Sequence, residues 1–122
     1  MTKAILRIGR DADRALADMG RRFTQAWKSG RQQAHVFSFE SPAALFRTLS
    51  PKRWELLERL QELGPTSVRG LARALARDVK RVHEDVALLI DVGLVTRTET
   101  GKIEVPYSVI HADFDLKATD AA

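Results

Sequence analysis

Between positions 69 and 102, arginine and lysine residues recur at a spacing that would suit the binding of an anionic ligand. Arg69, Arg73 and Arg77 recur at every fourth position, and on a helix this spacing aligns side chains in one stripe. Guanidinium groups bind phosphates through paired hydrogen bonds. Lys80 and Arg81 follow, and such side chains contact phosphates or guanine edges. The pattern predicts a DNA-binding surface, and the alternative is an ordinary solvated helix face.

Two further features extend the predicted surface. His83 and Glu84 continue the same segment, and the Glu84 carboxylate would either accept a hydrogen bond from a cytosine amino group or repel phosphate. Arg97 and Lys102 flank residues 99–101, whose sequence Glu-Thr-Gly is typical of a hairpin turn. The complete set of predicted DNA-binding residues is Arg69, Arg73, Arg77, Lys80, Arg81, His83, Glu84, Arg97 and Lys102.

The sequence gives little evidence of a catalytic site or of a metal site. His35, His83 and His111 lie far apart, cysteine is absent, and no glycine-rich phosphate loop or nucleophile motif occurs. Asp113 and Asp115 alternate with apolar residues, which is typical of the exposed face of a strand. The sequence therefore predicts a protein that is not an enzyme and has no catalytic residue, no metal site and no cofactor.

Two helices must position the cations. Ser67 is a suitable N-cap for a short helix that carries Leu71 and Leu75. After a break at residues 77–78, a second helix runs to Gly93, and it also carries the carboxylates of Asp85 and Asp91, which count against phosphate binding. Its apolar residues recur at helical spacing and are expected to point inward: Val79, Val82, Val86 and Leu89.

The segments on either side complete an expected single α+β domain. Residues 1–40 read as a strand–helix–strand unit, residues 41–107 contain the helices and a hairpin, and residues 108–122 form a strand and an acidic tail. The helix expected over residues 11–29 has an apolar stripe at intervals of three and four. We predict that this stripe forms a dimer or partner interface through Leu16, Met19, Phe23 and Trp27; the alternative is that it packs on the rest of the same chain.

These residues resemble a known family. The stretch LARALARDVKRVHEDVALLIDVGLV, residues 71–95, is similar to the winged helix-turn-helix of MarR-like bacterial and archaeal transcriptional regulators. SPKRWELLERLQELGP, residues 50–65, looks like the first helix of the same domain, so the resemblance covers residues 41–107. The strand–helix–strand in front resembles instead the N-terminal extension of winged-helix antitoxins. The resemblance implies an α+β fold made of a winged helix-turn-helix with an N-terminal strand–helix–strand extension.

The resemblance implies a sequence-specific DNA-binding transcriptional regulator that represses its own operon. Its expected partners are double-stranded DNA and a second copy of the chain, and the net charge of +4 permits a nucleic-acid partner. A second hypothesis is an antitoxin that also binds a protein toxin, and the alternative to both is a winged helix used only for protein–protein contacts. With no cysteine and no long apolar run, the chain is expected to be cytoplasmic and to have no membrane partner.

Overall fold

The computed structural model describes residues 2–9, 33–116 and 118. The helix predicted over residues 11–29 lies outside these ranges, and so do the predicted interface residues Leu16, Met19, Phe23 and Trp27. The chain divides into two compact units. The sheet unit consists of Met1–Leu45 and Val109–Ala122, and the helical unit consists of Phe46–Ser108.

The sheet unit contains a three-stranded parallel sheet. Strand β1 covers Thr2–Ile8 and pairs along its whole length with β2, Gln33–Phe39. On its other side β1 pairs with β5, Val109–Ala112, so the strand order is β2-β1-β5. Residues 4–6 in the middle of β1 are buried, as expected for the central strand of a parallel sheet. The C-terminal strand therefore joins the N-terminal strands, and it ends at Ala112.

The remaining elements follow one another between β2 and β5, and they confirm an α+β fold class. No helix among the described residues is long and apolar enough to cross a bilayer. The elements are α1, Pro42–Thr48; α2, Pro51–Leu63; α3, Val68–Leu75; α4, Val79–Val92; β3, Thr96–Arg97; and β4, Ile103–Glu104.

Local sequence explains where these helices begin and end. Helix α2 starts with a proline at its first position and stops at Gly64, whose φ of 72° suits glycine. The Ser67 hydroxyl accepts a hydrogen bond from the backbone N–H of residue 70 at 2.9 Å and caps α3. The Asp78 carboxylate caps α4 in the same way, and Gly93 ends α4 in a left-handed conformation. The predicted helices of this region are confirmed.

One apolar core joins helices α2, α3 and α4 of the helical unit. Its side chains come from one face of each helix and from the segment after α4, and none is more than 1% exposed. They are Leu56, Leu57, Leu60, Leu71, Ala72, Val82, Val86, Leu89, Leu94, Val95 and Ile103.

Val79 departs from this pattern. The prediction that it points inward with Val82 and Val86 is wrong, because its side chain is 39% exposed. At about 100° per residue, Val79 lies about 60° from Val82 around the helix axis, at the border of the apolar stripe. As the first residue of α4, it also has no preceding helical turn to cover it.

Candidate nucleic-acid interface

Helices α3 and α4 are joined by a turn of only three residues, 76–78. Ala76 adopts the left-handed conformation, with φ 53°, which is uncommon for a residue other than glycine. The backbone N–H of Ala76 donates to the Arg73 carbonyl at 3.1 Å, and that of Arg77 donates to the Ala72 carbonyl at 3.0 Å. These bonds fix the direction in which the chain enters α4, and the two helices pack together through their apolar faces.

The outer face of this pair of helices is polar and basic. Arg69 and Arg73 are exposed on α3, one helical turn apart, and Lys80 and Arg81 are exposed in the first turn of α4. None of these four charged groups has an ion-pair or hydrogen-bond partner within residues 2–9, 33–116 and 118. We call Arg69, Arg73, Lys80 and Arg81 the basic face.

His83 and Glu84 are also exposed on α4, in its N-terminal half. Exposed polar residues and buried apolar residues thus lie on different sides of α4, since Val82, between Arg81 and His83, is completely buried. Glu84 adds a carboxylate to an otherwise cationic surface. A surface of this composition can bind an anionic polymer and can also accept hydrogen bonds from base amino groups.

Arg77 does not share these surroundings. Helix α3 ends at Leu75, so Arg77 lies in the turn and does not continue the stripe of Arg69 and Arg73 as predicted. Its side chain is only 16% exposed, and its Nη2 donates to the Asp85 carboxylate at 2.8 Å. The Arg77 Nη1 atom is buried and has no hydrogen-bond partner within the described part of the chain. The Arg77 guanidinium is therefore engaged inside the helical unit.

Asp85 is the centre of a cluster of charges within the helical unit. Its second carboxylate oxygen accepts from Arg53 Nε of α2 at 3.0 Å. Arg53 Nη1 in turn donates to the carbonyls of Arg47 and Thr48 at the end of α1, at 3.2 and 3.0 Å. We call Arg53, Arg77 and Asp85 the Asp85 cluster. It connects α4 to α2, to the three-residue turn and to the end of α1.

From the sequence alone, the Asp85 carboxylate counts against phosphate binding by α4. The contacts of the Asp85 cluster remove that objection. Two guanidinium groups flank the Asp85 carboxylate, which is 15% exposed, so its charge is compensated within the helical unit. Asp85 therefore does not oppose phosphate binding in the way that an unpaired carboxylate would. Sequence analysis missed this role. The available signal was the position of Asp85, about 60° from Val82 at the border of the buried stripe.

A short hairpin places two more cations at the surface. Arg97 in β3 and Lys102 before β4 are exposed on either side of the turn. Thr98 and Lys102 close the turn with an N–H to carbonyl bond of 2.7 Å. The hairpin is held by the completely buried Ile103, which exchanges two backbone hydrogen bonds with Thr66 just before α3. The predicted hairpin is confirmed, and each of its strands has two residues.

Tyr107 fixes the segment after the hairpin. Its hydroxyl donates to the Gly93 carbonyl at the end of α4 at 3.2 Å, and its own carbonyl accepts from Gln61 of α2 at 3.1 Å. Burial raises the pKa of the Tyr107 phenol. These bonds are structural, and no group of three or more metal-ligating side chains occurs among the residues that the structure describes.

The segment with this geometry also carries the similarity to known proteins. A sequence model of the HVO_A0114 family matches residues 48–112, just over half of the chain. The chain belongs to the HVO_A0114 family. The HVO_A0114 match begins at the end of α1 and includes α2, α3, α4, the hairpin and β5. It therefore contains the basic face and the whole Asp85 cluster, whereas the predicted interface over residues 16–27 lies outside it. No curated protein is significantly similar in sequence to the chain.

Proposed function

We propose that this HVO_A0114 chain is a DNA-binding transcriptional regulator and that its helical unit is a winged helix-turn-helix. In this proposal α3 and α4 form the helix-turn-helix, α4 is the recognition helix, and the β3–β4 hairpin is the wing. The order of three helices followed by a hairpin supports this assignment, as does the three-residue turn before α4. The MarR-like resemblance of residues 71–95 supports it independently of the structure.

The observation that carries the proposal is the basic face. Its four cations are exposed and unpaired within the described residues, while the apolar side of the same helices is buried and the Asp85 carboxylate is compensated. A duplex offers closely spaced phosphates to such a surface, and binding releases the counterions that surround them. Arg97 and Lys102 on the hairpin extend the cationic surface beyond the two helices.

In the proposed complex, each part of the surface has its own task. Lys80, Arg81, His83 and Glu84 of α4 face base edges in the major groove, since residues in the N-terminal half of a recognition helix make these contacts. Arg69 and Arg73 contact the flanking phosphates, and Arg97 and Lys102 contact the DNA from the hairpin. Arg77 is left out of this set because its guanidinium binds Asp85.

The proposal extends to a homodimer that represses its own operon. A two-fold symmetric reader requires a symmetric operator, and a dimer doubles the number of phosphate contacts. The antitoxin hypothesis adds a toxin-binding surface at Leu16, Met19, Phe23 and Trp27, residues outside the described ranges. Co-purification with the product of a neighbouring gene would test that addition separately.

Fluorescence anisotropy with the full chain tests DNA binding. The probe is a labelled duplex of about 30 base pairs from the region upstream of the protein's own gene, beside a shuffled duplex of equal composition, measured between about 50 and about 200 mM salt. We expect tighter binding to the upstream duplex. Arg81→Ala should weaken that binding by about 1–3 kcal/mol and reduce the preference over the shuffled duplex.

Arg59→Ala is the matched control, because Arg59 lies on α2 and pairs with Glu62 at 2.8 Å. It should leave the affinity unchanged. If neither duplex binds in a salt-dependent manner, the proposal is wrong, and a winged helix used only for protein contacts becomes the better hypothesis. Equal binding to both duplexes would contradict sequence-specific recognition.

A further inference from the structure

Val79 is an exposed apolar side chain in a charged part of the helical unit. The other stripe residues of α4, Val82, Val86 and Leu89, are at most 1% exposed, whereas Val79 is 39% exposed. Its neighbours Asp78 and Lys80 are both exposed and charged. The first turn of α4 thus exposes part of the Val79 side chain, whose outer atoms are two methyl groups, next to Lys80 of the basic face.

The chemistry of the major groove offers a match for these methyl groups. Among the groups that bases expose there, hydrogen-bond donors and acceptors dominate, and the C5 methyl of thymine is the apolar one. Contacts with base edges come from the first residues of a recognition helix. Val79 is the first residue of α4, and the exposed side chains of Lys80, the next residue, and His83, about one turn later, supply polar contacts on the same part of the helix.

We infer that Val79 contacts the C5 methyl of a thymine and so helps to set the sequence preference of α4. This inference rests on the proposed DNA-binding function. It adds an apolar contact to a surface whose other members are charged. The contact excludes water from one methyl group of the base and from the valine, and it releases no counterions, unlike the phosphate contacts.

The contact can be tested by removing the thymine methyl alone. Duplexes that bind the full chain are first selected from a randomised pool, and each thymine of the selected site is then replaced by deoxyuridine. With the wild-type protein, one such replacement in a single half-site should weaken binding about fourfold, the effect of one buried methyl group. With Val79→Ala, the same replacement should have a clearly smaller effect, because the two γ-methyl groups of the valine are gone and only Cβ remains.

Val109→Ala is the matched control, since Val109 is 42% exposed and lies on β5 in the sheet unit. It should retain the full effect of the deoxyuridine replacement. Circular dichroism of Val79→Ala should show unchanged helix content, which excludes loss of α4 as the cause.

The inference is wrong if every deoxyuridine replacement has the same effect on wild type and Val79→Ala, even though the Arg81→Ala variant loses affinity. A pool that yields no preferred duplex would overturn the proposed sequence-specific function and this inference with it.

Discussion

The Asp85 cluster and the basic face place the same type of side chain in opposite surroundings. Arg53 and Arg77 have side chains that are 22% and 16% exposed, and both bind one carboxylate. Arg73 and Arg81 are exposed and have no charged partner within the described residues. Arg77 lies in the turn between the two helices that carry Arg73 and Arg81, and Arg53 lies on α2. Burial and pairing, rather than residue type, decide which arginines hold the helices together and which remain available to a ligand.

The same comparison predicts different responses to salt. Ion pairs that are largely withdrawn from water are screened weakly by dissolved ions, so the Asp85 cluster should retain its contribution to stability at raised ionic strength. The basic face would act through counterion release, and its binding of DNA should weaken steeply over the same range. Substitutions in each group therefore need two measurements, one of stability and one of DNA affinity.

Removing the central carboxylate should have the largest effect on stability. Asp85→Asn keeps the size of the side chain but leaves two largely buried guanidinium groups without a countercharge. Breaking one partner of a buried ion pair costs about 3–5 kcal/mol, and the partial exposure of this cluster lowers our expectation to about 2 kcal/mol. Urea denaturation should show a lower midpoint with an unchanged slope.

Asp91→Asn provides the control for that measurement. Asp91 is an exposed aspartate on the same helix and has no ion-pair partner among the residues that the structure describes. Its substitution should change stability by less than about 0.5 kcal/mol. Equal small effects of the two substitutions would mean that the Asp85 cluster contributes no more than an ordinary surface pair.

Arg77 and Arg73 give the most direct test of the comparison, because they are only four positions apart in the sequence. Arg77→Ala should lower stability by about 1–2 kcal/mol, since it removes an ion pair and the packing of a long side chain. It should leave the salt dependence of DNA binding unchanged. Arg73→Ala should change stability by less than about 0.5 kcal/mol and lower the salt slope of binding by about one.

The opposite pattern would contradict the division into two groups. If Arg77→Ala reduced the salt slope and left the urea midpoint unchanged, Arg77 would have to leave Asp85 when DNA binds. The sequence-based expectation of an Arg69, Arg73 and Arg77 stripe would then describe the bound state. Stability and affinity must be measured on the same preparations, because a partly unfolded variant loses affinity for trivial reasons.

The features that local sequence predicts well are the helices and their ends. Ser67 and Asp78 are capping residues, Gly64 and Gly93 stop helices, and the spacing of the apolar residues identifies the buried faces. Each of these signals acts within a few residues of where it appears. The helical unit between residues 50 and 93 could therefore be outlined without knowledge of tertiary contacts.

The features that sequence did not predict are of two kinds. Some depend on residues far along the chain, and others concern residues at the edge of the apolar stripe of a helix. The orientation of Arg77 follows from a left-handed Ala76, where glycine is the usual signal, and from a partner eight residues later. Val79 and Asp85 both lie at borders of the apolar stripe, where periodicity alone does not decide burial. The pairing of β5 with β1 joins segments about a hundred residues apart, and no local pattern encodes that choice.

The smallest expected effect is that of Arg59→Ala. This variant tests whether exposure alone makes an arginine available to DNA. Arg59 is 42% exposed but pairs with Glu62 three residues later on α2. An exposed pair of this kind contributes at most about 0.5 kcal/mol, so Arg59→Ala should barely change the urea midpoint. We also expect an unchanged salt slope, because Arg59 is outside the basic face. If Arg59→Ala lowered the slope by about one, as expected for Arg73→Ala, any exposed arginine would contribute equally to binding. The binding would then reflect the overall positive charge of the chain, and the distinction between the basic face and the rest of the surface would fail.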